Sequence, residues 1–147
     1  MSPDMPLLMA SQKMLRNEFT GLPVVDAKKK VVGIVTEYDL LTKGTAIHLP
    51  TFIKLFSDYP LSRTAESLMK GKLKDLLSFS VKDVMNTDPI VLKESATISE
   101  VVKIFGKHHR VNPIPIVNAV GVLVGIVSRY DIIKFYASML ERAEKTG

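Results

Sequence analysis

Two short stretches hold the residue types that recognition of a nucleotide needs, Thr36-x-x-Asp39 and Ser128-x-x-Asp131. A single carboxylate can accept a hydrogen bond from each of the vicinal hydroxyls of a ribose. A hydroxyl three residues earlier, at the first turn of a helix, lies beside backbone N–H groups that the helix leaves unused. Those donors and the helix dipole both favour an anionic phosphate there. Hydroxyl and carboxylate together fit a nucleotide from sugar to phosphate. The same spacing is also a capping box, in which the aspartate reaches back to the cap residue's own N–H with no ligand at all.

The elements that position these residues come twice. "VVGIVTEYDLL" at Val31–Leu41 returns as "LVGIVSRYDII" at Leu123–Ile133, a shift of 92 residues, and Gly21–Leu41 matches Pro113–Ile133 at nine of 21 positions without a gap. Each copy has two Val/Ile-rich runs split by a polar or glycine-containing turn, the pattern of a β-hairpin. Before the second hairpin Ile98, Val101, Val102 and Phe105 follow helical spacing, with Thr97 and Glu100 as a capping box. Pro6–Arg16, with Leu7, Ala10 and Met14 on one face, is the counterpart in the first copy. After each hairpin a helix starts at Thr36 or Ser128, and the second carries an apolar stripe of Ile132, Ile133, Tyr136, Leu140 and Ala143. "DPIVL" at Asp88–Leu92 adds a short opening strand to the second copy, whereas its equivalent in the first would precede Met1. The expected organisation is a first β-α-β-β-α repeat without its opening strand over residues 1–43, a helical insertion over 44–80 and a complete repeat over 81–147.

Composition narrows the function classes. The chain has 147 residues, 46 % of them hydrophobic, enough for one compact domain or two small units sharing a core. No run of about 18 apolar residues spans a bilayer and no secretory signal pattern opens the chain, so a cytoplasmic location and no membrane partner are expected. Without cysteine, disulfides, thiolate metal sites and cysteine nucleophiles are excluded. The net charge of +5 includes no dense basic arm, and Lys28–Lys30 reads as a solvated turn, so nucleic acid is not an expected partner. His108 and His109 are adjacent and diverge, and His48 is far away in sequence. They are expected at the exposed carbonyls ending a helix rather than on a metal. No phosphate-binding P-loop, Gly-x-Ser-x-Gly elbow or His-Glu-x-x-His is present, so no catalysis and no required cofactor are expected.

"GLPVVD", "VVGIVTEYDLL", "VKDVMNTDPIVL" and the second "VGIVSRYDII" resemble the CBS domain, a motif named for cystathionine β-synthase that occurs in tandem pairs as a regulatory module. The resemblance covers both copies and most of the chain outside Thr42–Ser80. It implies an α/β (α+β) fold in which the repeats pack through their sheets about a pseudo-twofold axis and leave two clefts between them. It further implies an adenosine-type ligand such as AMP, ATP or S-adenosylmethionine, a homodimer, a separate effector protein and no chemistry of the module's own.

Within that frame Asp39 and Asp131 are the expected ribose acceptors and Thr36 and Ser128 the phosphate-side hydroxyls. A purine slot is expected near Thr87–Ile90 with Leu22–Pro23 or Ile114–Pro115. Basic residues that hold phosphate in some relatives are replaced here by Thr20-Gly21 and Asn112-Pro113, leaving Arg129 or Arg110 to substitute. Glu37 stands where the second copy has Arg129, which favours the Ser128/Asp131 site for a charged nucleotide. The rival expectation is a ligand-free interaction scaffold in which both Thr/Ser-x-x-Asp elements only cap helices.

Overall fold

The fold was obtained as a computed structural model, which describes residues 1–42 and 79–145. The helices expected within 44–80 therefore lie outside the described residues, apart from the last two positions of that range. Among the described residues, in chain order, the elements are α1 (Leu7–Arg16), β1 (Gly21–Val25), β2 (Val31–Thr36), α2 (Glu37–Thr42), β3 (Leu92–Lys93), α3 (Ile98–Lys107), β4 (Ile114–Val117), β5 (Leu123–Val127) and α4 (Arg129–Glu144), with a 3-10 turn at Val81–Asp83.

Both hairpins form as the alternating patterns require. β1 pairs antiparallel with β2 from Gly21 opposite Thr36, and β4 pairs with β5 from Ile114 opposite Val127. Each ladder slips by one residue at its last pair, Val25 with Val31 and Val117 with Leu123, so the two hairpins share even their irregularity. The opening strand of the second repeat is shorter and later than expected: only Leu92–Lys93 pairs, parallel to Ile116–Val117, and Ile90 and Val91 lie outside it. On the first hairpin the Met1 ammonium donates to the Pro23 carbonyl and Val25 N–H donates to the Met1 carbonyl, both at 2.9 Å. Met1 thus occupies the position that Lys93 takes beside Val117, 92 residues later.

Residues that touch their own repeat mates mark the pseudo-twofold axis. Asn112 Nδ2 donates to Thr20 Oγ1 at 3.1 Å across 92 residues. Lys30 bridges Val122, and a Cβ on Gly21 would sit 2.7 Å from Pro113 Cδ, two further pairs at the same separation. Two symmetry-related positions meet only on the axis, so Gly21 is where the copies approach too closely for a side chain.

Each copy has its own core. In the first, Leu7, Ala10 and Met14 of α1 pack on Val24 and Val35 of the hairpin, joined by Val81 and Val84. In the second, Val101 and Phe105 of α3 pack on Ile114. The sequence assigns residues 81–86 to the second repeat, yet Val81 and Val84 are buried in the core of the first. Leu7 N–H donates to the Phe79 carbonyl, and Val81 N–H to that of Met5, each at 2.9 Å, so the segment is stitched along the start of α1.

Candidate functional site

Both Thr/Ser-x-x-Asp elements are closed capping boxes. The Thr36 N–H and hydroxyl donate to Asp39 Oδ2 at 2.9 and 2.6 Å, and Asp39 N–H donates to Thr36 Oγ1 at 3.3 Å. Ser128 and Asp131 repeat the pattern at 2.8, 2.6 and 3.2 Å. In each box the hydroxyl proton is committed to the carboxylate, so a phosphate nearby must take its hydrogen bonds from other donors. Burial separates the two: Asp39 is only 7 % exposed, whereas Asp131 faces solvent. The Ser128 hydroxyl, then its backbone N–H, holds the Asp131 carboxyl below the ordinary aspartate range.

Each box opens onto a cleft walled by the other copy. The first, of about 220 Å³, joins Thr36, Tyr38 and Asp39 to Arg110–Pro113 from ahead of β4, with Asn86, Pro89 and Ile90 along another side. The second, of about 680 Å³, joins Ser128, Tyr130 and Asp131 to Asn17–Thr20 from ahead of β1 and Gly21 at its start, with Lys134. The 92-residue shift carries one set onto the other, Ile34 to Ile126 and Glu18 to Arg110 among them. Asn86, Pro89 and Ile90 line the first cleft alone. Among the described residues the second cleft has no such wall, and the first is smaller than the roughly 300–1,000 Å³ typical of ligand pockets.

Electrostatics in three dimensions differ from those expected along the chain. Arg129 Nη2 donates to the carbonyls of His108, His109 and Val111 at 3.0, 3.2 and 3.5 Å. Its guanidinium also stacks 4.7 Å from the centre of the Phe105 ring. Arg129, rather than either histidine, therefore satisfies the carbonyls beyond α3, and it does not line the second cleft. Arg110 lies across the axis in the first cleft, 5.0 Å from the centre of the Tyr38 ring. Its mate in the second cleft is the acidic Glu18. Among the described residues no group of three His, Cys, Asp or Glu side chains could hold a metal ion.

Of the residues assigned to a purine slot, Ile90 lines the first cleft, while Thr87, Leu22, Pro23, Ile114 and Pro115 line neither. Ile114 and Pro115 are fully buried within the hairpin packing. Tyr38, Asn86 and Asn112 are lining residues the motif did not single out. Asn112 carries the clearest signal, since it stands at the junction of the repeats, donates to Thr20 and accepts the Arg129 N–H at 3.0 Å.

Two duplicated α/β units joined along an approximate twofold axis, with a Thr/Ser-x-x-Asp cleft on each side, define a paired regulatory-type module. The chain matches the CBS domain family over residues 1–44 and 81–138, and it belongs to that family. It is 34 % identical over 128 residues to the uncharacterized protein MJ1426 of Methanocaldococcus jannaschii, covering 81 % of this chain and 74 % of that one. It is 29 % identical over 135 residues to the chloroplastic CBS domain-containing protein CBSX1 of Arabidopsis thaliana, covering 85 % of this chain but only 53 % of the relative. The chain thus spans about half the length of CBSX1. The crystal structure of CBSX2 in complex with AMP superposes with a TM-score of 0.66 at 25 % identity, covering 94 % of this chain and 86 % of that one.

Proposed function

We propose that this chain is a regulatory CBS pair that binds an adenosine-type ligand, of the AMP, ATP or S-adenosylmethionine class, in the Thr36/Asp39 cleft and catalyses no reaction. The observation that carries this reading is the convergence in one cleft of a carboxylate, a cation and an apolar wall. Asp39 would accept the ribose hydroxyls, Arg110 would offer the charge-assisted donors that phosphate needs, and Ile34, Pro89 and Ile90 would flank the base. The AMP complex of CBSX2, a structural relative at 25 % identity, supports the ligand class. The Ser128/Asp131 cleft, with Glu18 in place of Arg110 and, among the described residues, no counterpart of Asn86–Ile90, is the weaker site on this reading.

A ligand that prefers one arrangement of the two copies shifts the population toward it, which is how binding reaches a separate effector. A homodimer belongs to the same proposal, supported by the exposed apolar residues Ile133, Tyr136 and Leu140 of α4. The ligand-free scaffold keeps one supporting observation of its own, because both boxes close as helix caps without a ligand.

Calorimetric titration with AMP, ATP, S-adenosylmethionine and adenosine separates the two. The nucleotide reading expects micromolar binding, about −8 kcal/mol. Asp39→Asn should weaken every adenosine compound. Arg110→Ala should weaken AMP and ATP by about tenfold or more while sparing adenosine, and Asp131→Asn should change little. No heat from any ligand with the folded protein at several temperatures rejects the nucleotide reading in favour of the scaffold.

A further inference from the structure

The Thr36/Asp39 box carries one more side chain at its cleft. Tyr38 stands between the two box residues, at the second position of α2, and is 41 % exposed. The hydrogen bonds between Thr36 and Asp39 fix the first turn of the helix and with it the base of this ring. Arg110 comes from the second copy, in a turn that the Val111 N–H closes on the His108 carbonyl at 3.1 Å. Two residues further on, Asn112 Nδ2 ties that turn to Thr20 Oγ1 of the first copy at 3.1 Å. The Arg110 guanidinium lies 5.0 Å from the centre of the Tyr38 ring, and both residues line the cleft.

An arginine side chain is long and rich in rotamers, so holding it in place before a ligand arrives removes a cost that binding would otherwise carry. A carboxylate could hold it, but would occupy the N–H donors that a phosphate needs. An aromatic face attracts the charge and leaves the planar fork of donors to the phosphate. Tyr130, the mate of Tyr38, also has a cation over its ring, Lys134 at 4.6 Å. That lysine belongs to the same helix, four residues on, and the mate of Arg110 is Glu18. Among the described residues, a ring that holds a guanidinium from the other copy is found at the first cleft alone.

We propose that Tyr38 is a positioning residue that gives the Thr36/Asp39 cleft its preference for phosphate-bearing ligands, by holding the Arg110 guanidinium across the junction of the two copies. The proposal rests on the nucleotide reading above and assigns within it a residue that acts on phosphate only through Arg110. The first copy would grip the ribose through Asp39 and the second the phosphate through Arg110, with the Tyr38 contact setting where the two meet. The ring carries this role and the hydroxyl does not, because the attraction is to the aromatic face. A phosphate-free nucleoside would use Asp39 and the apolar wall alone and would be indifferent to the contact.

The test is the ratio of AMP affinity to adenosine affinity, measured by calorimetry on the full chain. Tyr38→Leu should lower that ratio by about two- to fivefold, the size of an exposed cation–π contact, and Tyr38→Phe should keep the wild-type value. Tyr38→Met serves as a second ring-free variant should leucine disturb the fold. When Arg110→Ala is already present, adding Tyr38→Leu should change the ratio no further, because nothing is left to position. An unchanged ratio in the ring-free variants overturns the proposal, as does a further fall in the double variant. A Tyr38→Phe variant as poor as Tyr38→Leu would assign the hydroxyl a direct contact with the ligand and overturn the positioning role. Wild-type protein that binds neither compound rejects the nucleotide reading and this proposal with it, whereas a preference for AMP that Tyr38→Leu retains rejects the role of Tyr38 alone.

Discussion

Among the described residues Gly33 is covered and Gly125 is not, which predicts opposite responses to the same substitution. In Gly33→Ala the added methyl would sit 2.8 Å from Met85 Sδ and 2.8 Å from Asn86 O. The sulfur, on a flexible side chain, can move aside. The carbonyl cannot move freely, because it accepts the Ile34 N–H at 3.0 Å and its residue follows the buried Val84 by two positions. Overpacking of this kind costs about 1–3 kcal/mol. Alanine also relieves the entropic cost of a strand glycine, about 0.5–1 kcal/mol, but that gain applies equally to Gly125→Ala. Subtracting one variant from the other cancels the backbone contribution and leaves a difference of about 1–3 kcal/mol. For a chain of this size that is roughly 2–12 °C in Tm, at about 2–4 °C per kcal/mol. Differential scanning calorimetry and urea titration of the two variants measure it directly. Stabilities that agree within about 0.5 kcal/mol would refute the reasoning, because the β2 and β5 edges would then be equally covered or equally open.

Arg129→Lys should destabilise the fold by about 1–2 kcal/mol in urea, since an ammonium cannot reproduce a planar guanidinium that stacks on Phe105 and donates to several carbonyls. Because Arg129 serves the α3 end rather than a ligand, adenosine-type binding at Thr36/Asp39 should be unchanged by that variant. The Asp131 carboxyl, held below the ordinary 3.8 of an aspartate by Ser128, contributes stability that is present above that value and is lost as pH falls through its lower folded value. Acid titration of stability should accordingly show a smaller loss below about pH 4 for Asp131→Asn than for the wild type, with the exposure of the group keeping the difference small.

Elements whose cause lies within a few residues were legible from the chain. The capping box at Thr97 and Glu100 forms as the spacing implies, with Thr97 N–H donating to Glu100 Oε2 at 2.7 Å and Glu100 N–H to Thr97 Oγ1 at 3.3 Å. Both hairpins, α1 and α3 follow for the same reason, since alternation and helical spacing are local periodicities. The opening strand misled because "DPIVL" is apolar enough for a strand, yet its pairing depends on which residues reach β4, and only Leu92 and Lys93 do. Arg129 and Arg110 could not be assigned in advance for a similar reason. Both are bases near the motif, and only the packing of α4 against α3 and of one copy across the other sends them to different places.

The repeat, its register and its caps were thus determined by the sequence alone, because each is written in neighbouring residues and the 92-residue shift makes the duplication plain. Tertiary structure decided the asymmetry between the copies. The segment Ser80–Ile90 crosses to the first copy and pairs with its β2 edge through Ile34 and Asn86. It buries Val81 and Val84 in the first core and walls the Thr36/Asp39 cleft, while β5 and the Ser128/Asp131 cleft are left without that cover among the described residues. Which edge it covers is set by the hydrogen bonds it makes to Met5 and Ile34, partners more than forty residues away that no local pattern names.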